Sequence, residues 1–175
     1  MKYIECSDLA TANDFKKVYF ESFPKNERVD FNGLFSGVFK NFKLVGQYKD
    51  KKLVGMMHFL VKPDFIHLNY FAIIPDCRGQ GYGSKCLSWL KRKYKLPIVV
   101  DVEELDPKSN NYEYRIKRHR FYMKNGMKHG KYTFIWQGEF FTYLHYKDIN
   151  PESFMKHITY IFPTITNIQP YNPKL

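Results

Sequence analysis

An apolar run that meets a proline and then turns through Arg78-Gly79-Gln80-Gly81-Tyr82-Gly83-Ser84 constrains this chain more than any other feature. Phe71-Ala72-Ile73-Ile74 reads as the end of a strand, and the residues after Ser84 read as an amphipathic helix. A strand-to-helix turn of this kind leaves several backbone N–H groups without helical partners, where the helix N-terminus adds partial positive charge. Alternating glycines let a ligand approach the main chain closely. The segment is therefore read as a seat for a phosphate or pyrophosphate, because a tight turn alone needs neither the arginine nor three glycines.

The chain has 175 residues, enough for one domain with its own core. Aromatic residues, among them 14 Tyr and 16 Phe, argue for a packed fold containing sheet. The net charge of +11 suits an anionic partner, a phosphorylated cofactor or nucleic acid. No recognition-helix or RNA-sheet signature appears, so a basic nucleic-acid binder is only a rival reading and no nucleic acid is expected. Cys6, Cys77 and Cys86 match no metal spacing, and neither do the six histidines. No metal is expected, and the thiols suit a reducing cytosol. Met1-Lys2-Tyr3-Ile4-Glu5 carries no apolar signal region and no run approaches a membrane span, so a cytoplasmic protein with no membrane contact is expected.

Periodicity predicts strands at Tyr3–Cys6, Lys43–Tyr48, Leu53–Val61, Phe65–Ile74, Ile98–Glu103, Lys131–Trp136 and Glu139–Tyr146. It predicts helices at Thr11–Phe23, Phe31–Phe39, Ser84–Tyr94 and Asn111–Lys124. Ile98–Glu103 should run parallel to Phe65–Ile74, since a helix crosses between them. After Lys147, Asn150-Pro151-Glu152 opens a short helix, and Pro163, Pro170 and Pro173 predict a loose tail.

Three kinds of glycine loop compete. A Walker A loop needs Lys then Ser or Thr after its last glycine, and Gly83-Ser84-Lys85 has the wrong order. A dinucleotide fingerprint fails at its third glycine, although Asp101 stands at a suitable distance for a ribose contact. The third fits. Arg78-Gly79-Gln80-Gly81-Tyr82-Gly83 resembles the signature of the GNAT superfamily of acetyl-coenzyme A-dependent N-acetyltransferases. Phe71-Ala72-Ile73-Ile74-Pro75 resembles its cofactor-binding strand, and Arg115 to Met127 resembles its later helix. Arg115 stands where many members carry asparagine, and Met127 where they carry phenylalanine. The stretch from Glu21 to Arg28 resembles the acceptor corner of one bacterial group within that family.

The resemblance implies an α/β (α+β) acyl-CoA N-acyltransferase fold, with a mixed, mostly antiparallel, splayed sheet flanked by helices. It implies an N-acetyltransferase domain over residues 1–146, with residues 147–175 as an extension packed on it. It implies acetyl-coenzyme A as co-substrate and direct transfer to a primary amine on a small molecule or peptide. The rival in the same fold is an inactive coenzyme A-binding regulatory domain. Monomer and homodimer both suit the family.

Residue roles follow from the same likeness. Main-chain N–H groups of Arg78, Gly79, Gln80, Gly81, Tyr82, Gly83 and Ser84 hold the pyrophosphate. Phe71, Ala72, Ile73 and Ile74 lie along the pantetheine arm, which pairs like an added strand. A bulge there opens a cleft, and a backbone N–H can stabilise the oxyanion by roughly 3 kcal/mol. Tyr122 is the candidate general acid, with Phe121 beside it; a phenol stays protonated at neutral pH. Asp101 and Glu103 share one face of their strand, and Glu103 ranks first as general base and acceptor contact. Glu21 and Glu27 are the other candidate bases, with Phe23 beside them in the acceptor site. The basic run with Arg115 and Lys124 is either a solvated helix face or a seat for the cofactor's 3′-phosphate.

Overall fold

A computed structural model describes residues 1–7, 12–34 and 41–172, apart from the side chain of Asn26. They form two compact units, residues 1–95 and 96–175.

In the first unit, β1 (Lys2–Glu5), β2 (Phe42–Lys49), β3 (Lys52–Val61) and β4 (Ile66–Ile73) pair in chain order, each antiparallel to the next. The β2–β3 turn is two residues long, with Asp50 and Lys51 both at positive φ, 48° and 66°. That backbone matches the twist of a tight hairpin, which is why a short polar turn suffices. Helix α1 (Asn13–Ser22) buries Phe15, Val18 and Tyr19, and stops where Phe23 turns extended before Pro24. Its inner face joins Phe31, Leu44, Met56 and Ala72 in one core. The helix expected from Phe31 is a 3-10 turn, Phe31–Leu34, and residues 35–39 lie outside the described residues. Helix α2 (Tyr82–Tyr94) buries Cys86, Leu87 and Leu90. Trp89 at its flank stacks on Tyr3 at 4.6 Å.

The second unit holds β5 (Ile98–Glu103), α3 (Tyr112–Lys124), β6 (Lys128–Trp136), β7 (Glu139–Tyr146), α4 (Pro151–Ile161) and β8 (Thr166–Pro170). Strand β7 pairs with β5 and β6, and β6 also pairs with β8, all antiparallel. Asn150 caps α4, its side chain accepting from the Ser153 N–H at 3.0 Å, and Pro151 fits at the first helical position. The extension after residue 146 belongs to this unit: Phe154 packs on Tyr143 at 4.6 Å, and Phe162 on Trp136 at 4.9 Å. The loose tail expected there is corrected by β8, in which Pro170 faces Tyr132 and the Tyr171 N–H bonds the Lys131 carbonyl. A proline is tolerated because β8 pairs on one side only.

Among the described residues no group of three or more His, Cys, Asp or Glu could hold a metal, and no helix is long and apolar enough to cross a membrane.

Candidate active site

The glycine turn follows directly from β4. Pro75–Cys77 forms a 3-10 turn, and the Cys77 and Arg78 N–H groups bond the carbonyls of Ile74 and Pro75. Gly79 and Gly81 then adopt left-handed backbone, φ 74° and 77°. A Cβ added at either would touch nothing within 4 Å, so these positions need glycine for conformation and not for space. From Gly79 to Ser84 no backbone N–H has an acceptor among the described residues; the first helical bond is from Lys85 to the Gly81 carbonyl. Six successive donors at the start of α2 thus remain for an anion.

Two expectations change here. The N–H of Arg78 is used inside the turn, so the row of donors begins at Gly79 and not at Arg78. Arg78 also ties the loop to the strand, its Nε donating to the Ile73 carbonyl at 3.0 Å. The Ile74 N–H bonds Val54 on β3, so alternation turns the main chain of Ile73 the other way. That leaves Ile74 unsuited to the pantetheine pairing expected of it, because its N–H is already taken. The start of α2 is braced from below by Gln47, a buried polar side chain in β2 that sequence reasoning passed over. Its Nε2 donates to the Tyr82 carbonyl at 3.3 Å and to Tyr3 Oη at 3.0 Å. A lone glutamine in an apolar strand was the available signal.

The expected bulge is present. His58 pairs with Tyr70 and Phe59 with Leu68, so Asn69 is an extra residue in β4. Tyr70, directly after it, reaches the corner after α1, where its Oη donates to the Glu27 carbonyl at 2.9 Å. Phe23 packs on Tyr70 at 4.9 Å, while Glu21 is exposed and Glu27 half-buried. The structure thus gathers Phe23 and the Glu27 main chain beside the bulge.

Helix α3 of the second unit carries the largest departure. Arg115, His119 and Tyr122 form its buried face, so the basic run is not a uniformly solvated surface. Arg115 is 4% exposed. Its Nε donates to Asn111 Oδ1 at 2.7 Å, one Nη to the Glu104 carbonyl at 3.0 Å and the other to Glu139 Oε2 at 2.9 Å. With every guanidinium nitrogen engaged, Arg115 is a structural arginine and not a seat for the 3′-phosphate. Lys124, by contrast, is exposed at the end of the helix.

Glu103 is also 4% exposed. It sits 3.8 Å from Arg115 Nε, forms an ion pair with Arg118, and accepts from Asn111 Nδ2 at 3.3 Å. This carboxylate is thus committed to Arg115, Arg118 and Asn111, partners within its own unit. Its backbone carbonyl contacts His119 Nε2 at 2.8 Å. Asn111, at the N-cap position of α3, makes no cap bond with its side chain, which donates to Glu103 and accepts from Arg115.

Tyr122 lies among them with its ring edge-on to Phe121 at 5.1 Å. Burial raises its pKa well above the usual phenol value, with the Arg118 charge opposing and Asp101 adding to the rise. The hydroxyl therefore keeps its proton across the whole physiological range. Cys86, buried in α2, is likewise pushed up to about 12 by burial, which rules it out as a thiolate nucleophile. Met127, in place of the family's phenylalanine, is a buried core residue.

Comparison with known proteins accords with this arrangement. The model of the acetyltransferase (GNAT) family matches residues 9–127. Over 84 residues the chain is 36% identical to "Putative acetyltransferase YjbC" of Bacillus subtilis (strain 168), covering 48% of this chain and 42% of that one. The chain thus spans less than half the length of that relative. A solved structure described as a "Putative acetyltransferase from GNAT family from Bacteroides thetaiotaomicron" superposes with a TM-score of 0.70 at 21% identity, covering 93% of this chain and 98% of that one. A GNAT family acetyltransferase from Elizabethkingia anophelis with acetyl-CoA bound superposes with a TM-score of 0.60 at 13% identity, covering 84% of this chain and 97% of that one. The chain belongs to the GNAT family of acetyltransferases, and its mixed α/β fold with mostly antiparallel strands is that family's fold.

Proposed function

We propose that this protein transfers the acetyl group of acetyl-coenzyme A to a primary amine by direct attack. The observation that carries the reading is the row of backbone donors from Gly79 to Ser84 at the start of α2. Such a row suits a pyrophosphate, and acetyl-CoA is the ligand bound by the Elizabethkingia anophelis relative. Family membership supports an acyltransferase.

In the proposed reaction the pantetheine arm lies along β4, pairing with the main chain of Phe71 and Ile73 and passing Ala72, which faces β3 as Ile74 does, with the thioester near the bulge at Asn69. A neutral amine attacks the thioester carbonyl carbon, and a backbone N–H at the bulge steadies the oxyanion. The C–S bond breaks with its electron pair left on sulfur. Tyr122 is the proton donor to that sulfur. Its raised pKa makes it a steady hydrogen-bond donor more than a complete proton source, which a thiolate leaving group tolerates. The amine proton leaves through water toward Glu21 or Glu27. Glu103 holds α3, and through it Tyr122, in place. We place the protein in the cytoplasm, where Cys6, Cys77 and Cys86 stay reduced.

The test is calorimetry with coenzyme A together with thiol release from acetyl-coenzyme A across a panel of amines. Saturable coenzyme A binding and amine-dependent thiol release are expected. Binding without turnover of any amine would favour a coenzyme A-dependent regulatory domain. Absence of binding would end the reading.

A further inference from the structure

The corner after α1 carries a cation that the reaction above does not use. Arg28 follows the short turn Lys25–Glu27, and the main chain is held on both sides of it. Tyr70 Oη donates to the Glu27 carbonyl at 2.9 Å and accepts from the Val29 N–H at 3.3 Å. Tyr19 Oη donates to the Val29 carbonyl at 3.0 Å. Because Tyr70 directly follows the β4 bulge, Arg28 is anchored to the strand expected to carry the thioester.

The Arg28 guanidinium lies over the Phe20 ring, 4.8 Å from its centroid. Its Nε is buried and has no acceptor among the described residues. Buried Arg115 shows the alternative, with three acceptors placed around its fork. A buried donor without an acceptor is destabilising, so such a group in a binding corner points to a ligand. The planar Nε–Nη edge of a guanidinium matches a carboxylate with two parallel hydrogen bonds. One guanidinium balances one negative charge, which favours a carboxylate over a phosphate dianion. From Phe20 a run of touching rings continues through Phe31 at 6.3 Å and through Tyr19 at 5.6 Å, Tyr70 and Phe23, the last two 4.9 Å apart.

We infer that Arg28 is the receptor for a carboxylate on the acceptor, so the substrate is an amino acid or a similar amine that joins an acid group to an apolar body. This rests on the acetyl-transfer reading above. Matched pairs that differ by the carboxylate test it: L-phenylalanine with phenethylamine, and L-leucine with isopentylamine. Each is titrated calorimetrically into the coenzyme A-bound protein and assayed for thiol release, for wild type, Arg28→Gln and Arg28→Lys. Wild type should favour the acid of each pair by roughly tenfold or more. Arg28→Gln should erase that preference by weakening the acids alone, while coenzyme A affinity and Tm stay unchanged. Arg28→Lys should recover part of it, as charge returns without the fork. Equal affinity within each pair, no binding of either acid, or an equal loss for both members in Arg28→Gln would overturn the assignment. An Arg28-dependent preference without thiol release would sink the acetyl-transfer reading and leave the carboxylate receptor standing. Turnover of other amines with no Arg28 dependence would do the reverse.

Discussion

The glycine turn and the inner face of α3 solve opposite problems. From Gly79 to Ser84 the backbone keeps its donors unengaged, and three of the six residues are glycines with no side chain. On α3 the side chains do everything: Arg115 and Asn111 close a buried network on Glu103, Glu104 and Glu139. On the reading proposed above, the first region receives charge from outside the chain. The second consumes its own charge internally, so a basic helix can be buried without inviting a ligand. Positive charge in the sequence is therefore a poor guide to which donors stay unengaged in the fold.

That contrast is open to attack, beginning with its largest expected effect. Glu103→Ala should lower stability by about 2–3 kcal/mol, because it takes the carboxylate from Arg118 and Asn111 and the nearby charge from buried Arg115, and should lower Tm by roughly 5–10 °C. A near-normal melting curve with collapsed turnover would instead return Glu103 to the role of base.

Tyr122→Phe comes next. Turnover should fall about 10²-fold while the coenzyme A Kd holds, measured by steady-state kinetics and calorimetry. Unchanged kcat would make Tyr122 a core residue like its neighbours on α3.

Gly81→Ala should be milder, since left-handed backbone costs an alanine about 1–2 kcal/mol. Its expected mark is a coenzyme A Kd raised about tenfold with little loss of fold. If the fold suffers and binding does not, the turn is only a turn.

The smallest effect is a pH slope. Burial lowers His119 on α3, and lowers His58 in β3 to about 4, both from an ordinary 6.5. A folded-state pKa below the unfolded one means that stability is intact above pH 6.5 and is lost as pH falls toward the folded value. Each such histidine contributes up to about 1.4 kcal/mol per pH unit in that window. Urea unfolding at pH 7.5 and pH 5 should show the drop, and a flat profile would mean these rings are already charged or relieved by water.

Much of the fold was legible because local rules carried it. Alternation located β2, β3, β5 and β7 to within a residue or so, and Pro24 and Asn150-Pro151 marked helix ends that the structure keeps. The loop was legible because glycine and φ are tightly linked. Strand β8 was not, since prolines hide a strand that needs pairing on one side only. The inward turn of Arg115 and His119 was not legible either, because hydropathy reads a charged helix face as solvated. Gln47, Asn111 and Tyr70 act through partners 8 to 44 residues away in sequence, and no local pattern reports that.

By itself the order of residues determined the backbone turn and its row of unengaged donors, since glycine's conformational freedom and the unsatisfied donors of a helix start are local properties. Which charges remain for a ligand was decided only when distant segments met. Arg115 was neutralised by three acceptors from its surroundings, while Arg28 was set on a ring with its Nε left without one. The reason is that desolvation and hydrogen-bond satisfaction belong to the neighbours a side chain acquires, not to the side chain alone.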